Sequence, residues 1–415
     1  MLPIQNLDVL LIFIVKKGWS NVMFNMRIKM IRRLLLSAAF ALSSMHANAT
    51  APHEFFFFGD SLTDSGYQNN NPTLKQSGKT PLWTSPNGHT WAYYFLKDYA
   101  RDVPKSKASL KPNNVDAATL FHPVPKHILP ILDGNNFAAG GSTTKGPGLL
   151  NSPQYKAPSL LEQVDYFVHM YAPKHHVDVA KNTYFIWSGG NDIMKKLTIE
   201  VVIEHWLDKI HLNRVTAALN LFDIKKIRPR FRKTENQVAG DVFTAVNTLQ
   251  QAGAKKIVVM LIPHLGNTPL MDTLAKGLQK EGSVITTTQL SAELNDVTQK
   301  TNALIHMRLA GTHAVIVDIN KTLQPLVSMA TPGRFQETQQ QFGREQSFFI
   351  FNNQGAACPP KEQALTCIPT VAHAPHYVFE DLGHPTAQTH HIIGDYVYHQ
   401  FQLAFSTTKR QGHYH

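Results

Sequence analysis

Residues 53–62 read HEFFFFGDSL. Four consecutive phenylalanines between Glu54 and Gly59 form an apolar run without alternation. A strand covered on both faces of a parallel sheet reads this way, and the run predicts one over Glu54 to Phe58. Gly59 ends it and Ser61 stands at its exit. A hydroxyl at that point is presented by the turn, and a following helix N-terminus favours developing negative charge, as a nucleophile requires. A helix N-cap serine has the same sequence signature, so the string alone leaves both readings open.

Working outward, apolar runs that end in turn residues alternate with helix-period segments. Thr183 to Trp187, Lys256 to Ile262 and Ala314 to Val317 read as further strands. Trp91 to Tyr99, Leu160 to Tyr171, Val242 to Gln251 and Pro385 to Phe401 read as helices, and Leu290, Leu294, Val297, Leu304 and Ile305 mark one face of another. This alternation predicts an α/β fold with a central parallel sheet covered by helices. No repeat or long linker divides it, so one domain over 50–405 is expected, followed by a tail at 406–415. Two segments interrupt the pattern. Residues 195–238 are too long for an ordinary loop and carry Lys225, Lys226, Arg228, Arg230, Arg232 and Lys233, interleaved with Ile227 and Phe231. Residues 320–375 are rich in Gln, Pro and Asn and hold Cys358 and Cys367.

Near the C-terminus stands Asp381-Leu382-Gly383-His384-Pro385-Thr386. An aspartate and a histidine at this spacing, opening a helix, can converge on a serine: the imidazole takes its proton while the carboxylate fixes the tautomer. Two glycine-rich segments supply donors for an oxyanion. Asn136-Phe137-Ala138-Ala139-Gly140-Gly141 offers backbone N–H groups where a substrate can come close. Gly189-Gly190-Asn191-Asp192 follows a strand and offers a side-chain amide. Each segment alone also reads as a plain turn; their order along the chain, each at a strand end or helix start, favours chemistry. The other histidines, His390 and His391 among them, read as solvated or structural.

Composition narrows the class further. Apolar residues are 43% and charged residues 17%, which excludes chain-wide disorder, and Gly and Pro at 24 each without a period exclude collagen. No stretch approaches the ~18 unbroken apolar residues of a membrane span. The N-terminal 1–49 read as a leader: Arg27, Lys29, Arg32 and Arg33 precede the apolar Leu34 to Leu42, and Ala47-Asn48-Ala49 is a small-residue cleavage site before Thr50. The leader holds six Lys and Arg against Asp8, so removing it takes the formal charge from +11 to +6. That is too little for a dedicated nucleic-acid binder, and no recognised module accompanies the short basic patch. The expected location is extracellular or periplasmic. In an exported chain a close, even cysteine pair reads as a disulfide, with two free thiols as the alternative; the ring contributes ~2.5–3 kcal/mol in a chain-entropy estimate.

The four motifs together resemble the GDSL, or SGNH, hydrolase family, and the resemblance runs in order from Phe55 to about Phe401. Ser85-Pro86-Asn87-Gly88 also resembles a family turn. The resemblance implies a flavodoxin-like three-layer α/β/α sandwich with Ser61 as nucleophile and Asp381 and His384 as acid and base. It implies an oxyanion hole of Ser61, Gly141 (or Gly140 in the other register) and Asn191. The implied activities are ester and thioester hydrolysis, and sometimes acyl transfer, with no metal and no organic cofactor. The chain looks most like secreted bacterial phospholipase A and lysophospholipase A enzymes and the glycerophospholipid:cholesterol acyltransferases. That implies a phospholipid or lysophospholipid substrate, a sterol acceptor, and a protease that activates at the Cys358–Cys367 loop. That loop also reads as a simple staple. The basic run reads either as a membrane contact or as a solvated face. A carbohydrate O-acetylesterase or short-chain lipase shares the same motifs, and a non-catalytic binding protein is the reading from another class.

Overall fold

The computed structural model describes residues 53–66, 89–103, 110, 134–149, 157–198, 228–280, 283–329, 336–342, 345–356 and 377–405, with side chains outside 328–356 and 377. The expected leader, Ser85 to Gly88, Lys225, Lys226, Ile227, Cys358, Cys367 and the 406–415 tail lie outside these residues.

Four strands form a parallel sheet in sequence order: β1 (Phe55–Gly59), β2 (Thr183–Trp187), β3 (Lys256–Met260) and β4 (Ala314–Val317). Phe55 lies opposite Thr183, Thr183 opposite Lys256, and Ile257 opposite Ala314. The phenylalanines of β1 alternate between the two faces, as the strand period dictates. Phe55 and Phe57 face α1 (Trp91–Asp102) and the last helix, packing with Trp91, Phe95, Phe185 and Phe401. Phe56 and Phe58 face the other layer with Phe137, Val164, Phe167 and Tyr184. That layer is built from α2 (Leu160–Tyr166), which runs on through a π-helical turn at Phe167–Tyr171, and from α3 (Arg232–Gln251). All four rings are at most 1% exposed, and burying each contributes about 1.5–3 kcal/mol. The result is a three-layer α/β sandwich.

Asn135 to Phe137 continues the sheet beyond β1. Phe57 N–H donates to the Asn135 carbonyl at 3.0 Å and Phe137 N–H to the Phe57 carbonyl at 2.8 Å. The chain leaving β1 thus has this segment on one side and β2 on the other. Such a divergence opens a crevice at the carboxyl ends of the strands, where open α/β sheets bind ligands.

The remaining elements complete the flanks. α4 (Leu270–Lys280) and α5 (Thr287–Leu309) follow β3, and α6 (Asn320–Met329) follows β4. Leu290, Leu294, Val297 and Ile305 are buried on α5 as their spacing predicts, while Leu304 is partly exposed. A second, smaller sheet was not anticipated: β5 (Gln336–Phe342) pairs antiparallel with β6 (Glu345–Ala356), and β6 pairs parallel with β7 (Tyr377–Phe379). Strand β7 leads into the Asp381–His384 turn, and α7 (Ala387–Phe405) returns to pack on α1. Gly394 permits that contact: a Cβ there would lie 2.7 Å from Tyr94 Cβ and 2.8 Å from the Trp91 carbonyl oxygen.

Candidate active site

Ser61 sits in a tight turn leaving β1. Thr63 and Asp64 N–H both donate to the Asp60 carbonyl, and Leu62 N–H donates to Asp60 Oδ1 at 3.0 Å. Gly59 begins this turn at φ 149°, and a Cβ on it would meet the Trp187 carbonyl oxygen at 2.1 Å. Only glycine brings β1 this close to β2 while turning the chain. Burial raises the Asp60 carboxyl to about 7, against the pull of the Leu62 N–H and of His384.

The Asp381–His384 turn closes on itself. Asp381 Oδ1 accepts from Gly383 N–H and His384 N–H, both at 2.7 Å, which leaves Oδ2 facing His384 Nδ1 at 2.7 Å. This explains the spacing: one carboxylate oxygen shapes the turn and the other orients the ring. Around it, Glu380 N–H donates to the His384 carbonyl at 2.7 Å, Thr386 N–H to the Val378 carbonyl at 3.0 Å, and Leu270 N–H to the Leu382 carbonyl at 3.0 Å. The other ring nitrogen, His384 Nε2, lies 2.8 Å from Ser61 Oγ.

The electrostatics assign the protons. Burial alone would raise the Asp381 carboxyl, but His384 and the two turn N–H groups outweigh it and hold the pKa below the usual value. Burial alone would lower His384, and Asp381 reverses that, with smaller support from Asp60 and Glu380, so the imidazole pKa is raised. An ionised Asp381 accepts from Nδ1–H, which leaves Nε2 as the acceptor for the Ser61 O–H.

The glycine block is tied to the nucleophile turn through Asp64. Gly140 N–H donates to Asp64 Oδ2 at 2.8 Å, while Asp64 Oδ1 accepts from Gly66 N–H at 2.8 Å. The Gly140 donor is thus engaged within the fold. Gly141, at φ 75°, lines the same cavity as Ser61, and neither N–H donates to a protein acceptor among the described residues. Asn191 opens the helix that begins at 190 and lines that cavity too; its Nδ2 gives one hydrogen to the Ser142 carbonyl at 2.8 Å and keeps a second. Ser61, His384, Asp381, Gly141 and Asn191 therefore border one crevice.

Several supporting residues escaped the sequence reading. Fully buried Gln163 accepts from Gly59 N–H at 2.8 Å through Oε1. Its Nε2 lies 2.8 Å from the Gly59 carbonyl and 3.1 Å from Ser142 Oγ, which ties the nucleophile turn to the glycine block. Asp64 was legible only as a polar residue in DSLTDS. The cavity of about 310 Å3 is walled largely by apolar side chains, among them Leu149, Met194, Leu265, Leu270, Leu323 and Phe379. These come from distant segments and no motif announces them.

The basic run divides. Arg228 is drawn into the fold, with Nη1 2.7 Å from Glu235 Oε1 and Nε 2.6 Å from Asp296 Oδ2. It braces α3 against α5. Arg230, Arg232 and Lys233 are exposed at the start of α3. His390 is buried and its Nδ1 accepts from Trp91 N–H at 3.3 Å, a structural role. Among the described residues, no three or more His, Cys, Asp or Glu gather to hold a metal ion.

The GDSL-like lipase/acylhydrolase family matches residues 55–397, from the first strand through most of α7. The chain belongs to that family. No curated protein matches this GDSL hydrolase. Solved structures similar to it include the lipase Lip_vut3 from a goat rumen metagenome, at 9% identity over 84% of this chain and 97% of that one, with a TM-score of 0.40. Est24, a carbohydrate acetylesterase from Sinorhizobium meliloti, is 12% identical over 85% and 100%, with a TM-score of 0.38. Phospholipase A1 from Streptomyces albidoflavus NA297 is 13% identical over 72% and 92%, with a TM-score of 0.34.

Proposed function

We propose that this GDSL hydrolase is an exported serine esterase acting on acyl esters of phospholipids and lysophospholipids, and that a sterol hydroxyl can replace water as acceptor. The observation that carries the lipid reading is the apolar cavity of about 310 Å3 bordering Ser61 and His384. Each buried methylene of an acyl chain gains ~0.8 kcal/mol. An acetyl group would leave most of such a space unused, which disfavours the O-acetylesterase alternative.

The geometry supports the following cycle. His384 Nε2 takes the Ser61 proton as Oγ bonds to the ester carbonyl carbon, and the carbonyl π electrons move onto its oxygen. Ser61 N–H, Gly141 N–H and Asn191 Nδ2 donate to that oxyanion. The intermediate collapses, the C–O bond to the alcohol breaks, and His384 returns its proton to the leaving oxygen. Water, or a sterol hydroxyl, then attacks the acyl-enzyme and gives its proton to His384. A second collapse releases acid or new ester and restores the Ser61 hydroxyl. Asp381 stays ionised throughout and stabilises the imidazolium.

Mass spectrometry of products from mixed phospholipid, lysophospholipid, cholesterol and acetylated sugar tests the substrate class. Free long-chain fatty acid and lysophospholipid are expected, with cholesteryl ester as the transfer product. Acetate alone would overturn the lipid reading. Export and the Cys358–Cys367 disulfide belong to the same proposal and rest on the sequence. N-terminal sequencing of protein collected outside the cytoplasm should find Thr50 first.

A further inference from the structure

Behind the oxyanion donors lies a group of side chains the catalytic cycle does not use. Asp192 follows Asn191, and Thr144 stands three residues beyond Gly141. Thr144 N–H donates to Asp192 Oδ2 at 2.9 Å, so the two donor-bearing segments are joined directly. The Thr144 hydroxyl oxygen lies 2.9 Å from Asp192 Oδ1 and also 2.9 Å from Asp241 Oδ2 on α3. Both aspartates are buried.

A threonine hydroxyl has one hydrogen to give. It can donate to one carboxylate only, and the second contact becomes a hydrogen bond only if that carboxyl carries a proton and donates it to the Thr144 oxygen. Two ionised carboxylates across one hydroxyl would leave a lone-pair contact and two like charges in a buried place. We propose that Asp192 and Asp241 hold a single proton between them through the Thr144 hydroxyl, and that this proton fixes Gly141 and Asn191 as an oxyanion-binding pair.

The surroundings agree. Burial raises the Asp192 carboxyl to about 6, opposed by the Thr144 N–H and hydroxyl and reinforced by Asp241. Burial also raises Asp241, opposed by Thr144, by Lys145 on the glycine loop and by the Gln237 side chain on its own helix. Asp60, on the nucleophile turn, adds a further negative neighbour when ionised, since it and Asp192 act on one another. The proton belongs to the pair rather than to either residue. It is bound at low pH and released as pH rises through the elevated value, so the brace is intact on the acidic side and loosens on the alkaline side. Asp192 and Asp241 are positioning residues: they touch the loop, not the substrate.

The inference rests on the esterase reading of Ser61, and its test separates the two. Hydrolysis of a p-nitrophenyl acyl ester is followed from about pH 5 to about pH 8, on both sides of the value of about 6 to which burial raises Asp192. Wild type is compared with Asp241→Asn, whose amide N–H can donate to the Thr144 oxygen at every pH. Any limb owed to His384 is common to both enzymes and cancels in the ratio. The kcat ratio of wild type to Asp241→Asn should fall about three- to tenfold as pH rises, the worth of one neutral hydrogen bond, with KM unaffected. Thr144→Ser should keep the wild-type profile, and Thr144→Val should lose the pH-dependent part and lower kcat. A flat ratio, or a Thr144→Val profile matching wild type, overturns the shared proton. Undiminished hydrolysis by Ser61→Ala would instead overturn the esterase reading beneath it.

Discussion

Replacing Asp64 by Asn separates the glycine loop from the nucleophile turn while changing one atom's chemistry. The Asp64 carboxylate spans two N–H groups, Oδ1 to Gly66 and Oδ2 to Gly140, each at 2.8 Å, in a site 2% exposed. An asparagine can serve one of them; its NH2 then faces the other donor. A buried hydrogen bond to a charged acceptor contributes about 1.5–3 kcal/mol, and an unmet buried donor costs ~1–3 kcal/mol. If Gly140 is the one released, Gly141 moves with it. Loss of an oxyanion donor costs at most about 10²–10³ in kcat, and a displaced donor loses less, so a fall of about 10- to 100-fold is expected. Steady-state kinetics on a soluble ester should place the loss in kcat with KM nearly constant, because the donor acts on the charged intermediate. Urea unfolding should register a parallel loss of about 1–3 kcal/mol. A kcat equal to wild type in a protein destabilised by that amount would refute the claim that Asp64 positions the hole.

The raised His384 pKa has a definite sign in the rate: the base must be neutral, so kcat/KM should climb as pH rises through a value above the ordinary 6.5. In Asp381→Asn the residual activity should show that limb at lower pH; an unmoved limb would assign it to another group. Gly394→Ala should destabilise the fold by about 1–3 kcal/mol, the usual range for overpacking, because α1 leaves no space for a methyl group. Thermal or urea unfolding measures it, and an unchanged midpoint would contradict the close helix crossing. Exchanging Arg230, Arg232 and Lys233 for Gln should weaken binding to anionic vesicles by about 1 kcal/mol per charge in low salt. Binding insensitive to these changes and to salt would leave the run as a solvated face.

The central sheet was legible because its strands are aromatic or β-branched runs that must be covered on both faces, as in FFFF of β1 and KIVVM of β3. The smaller sheet was not, because QETQQQF of β5 has neither apolar alternation nor a turn signal that separates it from a loop. Helix α6 was hidden by Pro325 within it. In the site, Asp381 and His384 are readable because one local turn holds them together. Gln163, Thr144 and Asp241 are not, because their partners lie far along the chain and any polar residue at those positions looks the same. The basic run was read as one patch, but buried Glu235 and half-exposed Asp296 draw Arg228 inward, and these partners lie on helices whose packing the run does not reveal.

A fluorophosphonate probe tests the nucleophile most directly, because it bonds only to an activated hydroxyl. Intact mass and peptide mapping should find one adduct on Ser61, at a rate greatly slowed in His384→Ala and abolished in Ser61→Ala. An adduct on another residue, or labelling that persists in Ser61→Ala, would contradict the assignment of Ser61 and His384 as the reacting pair.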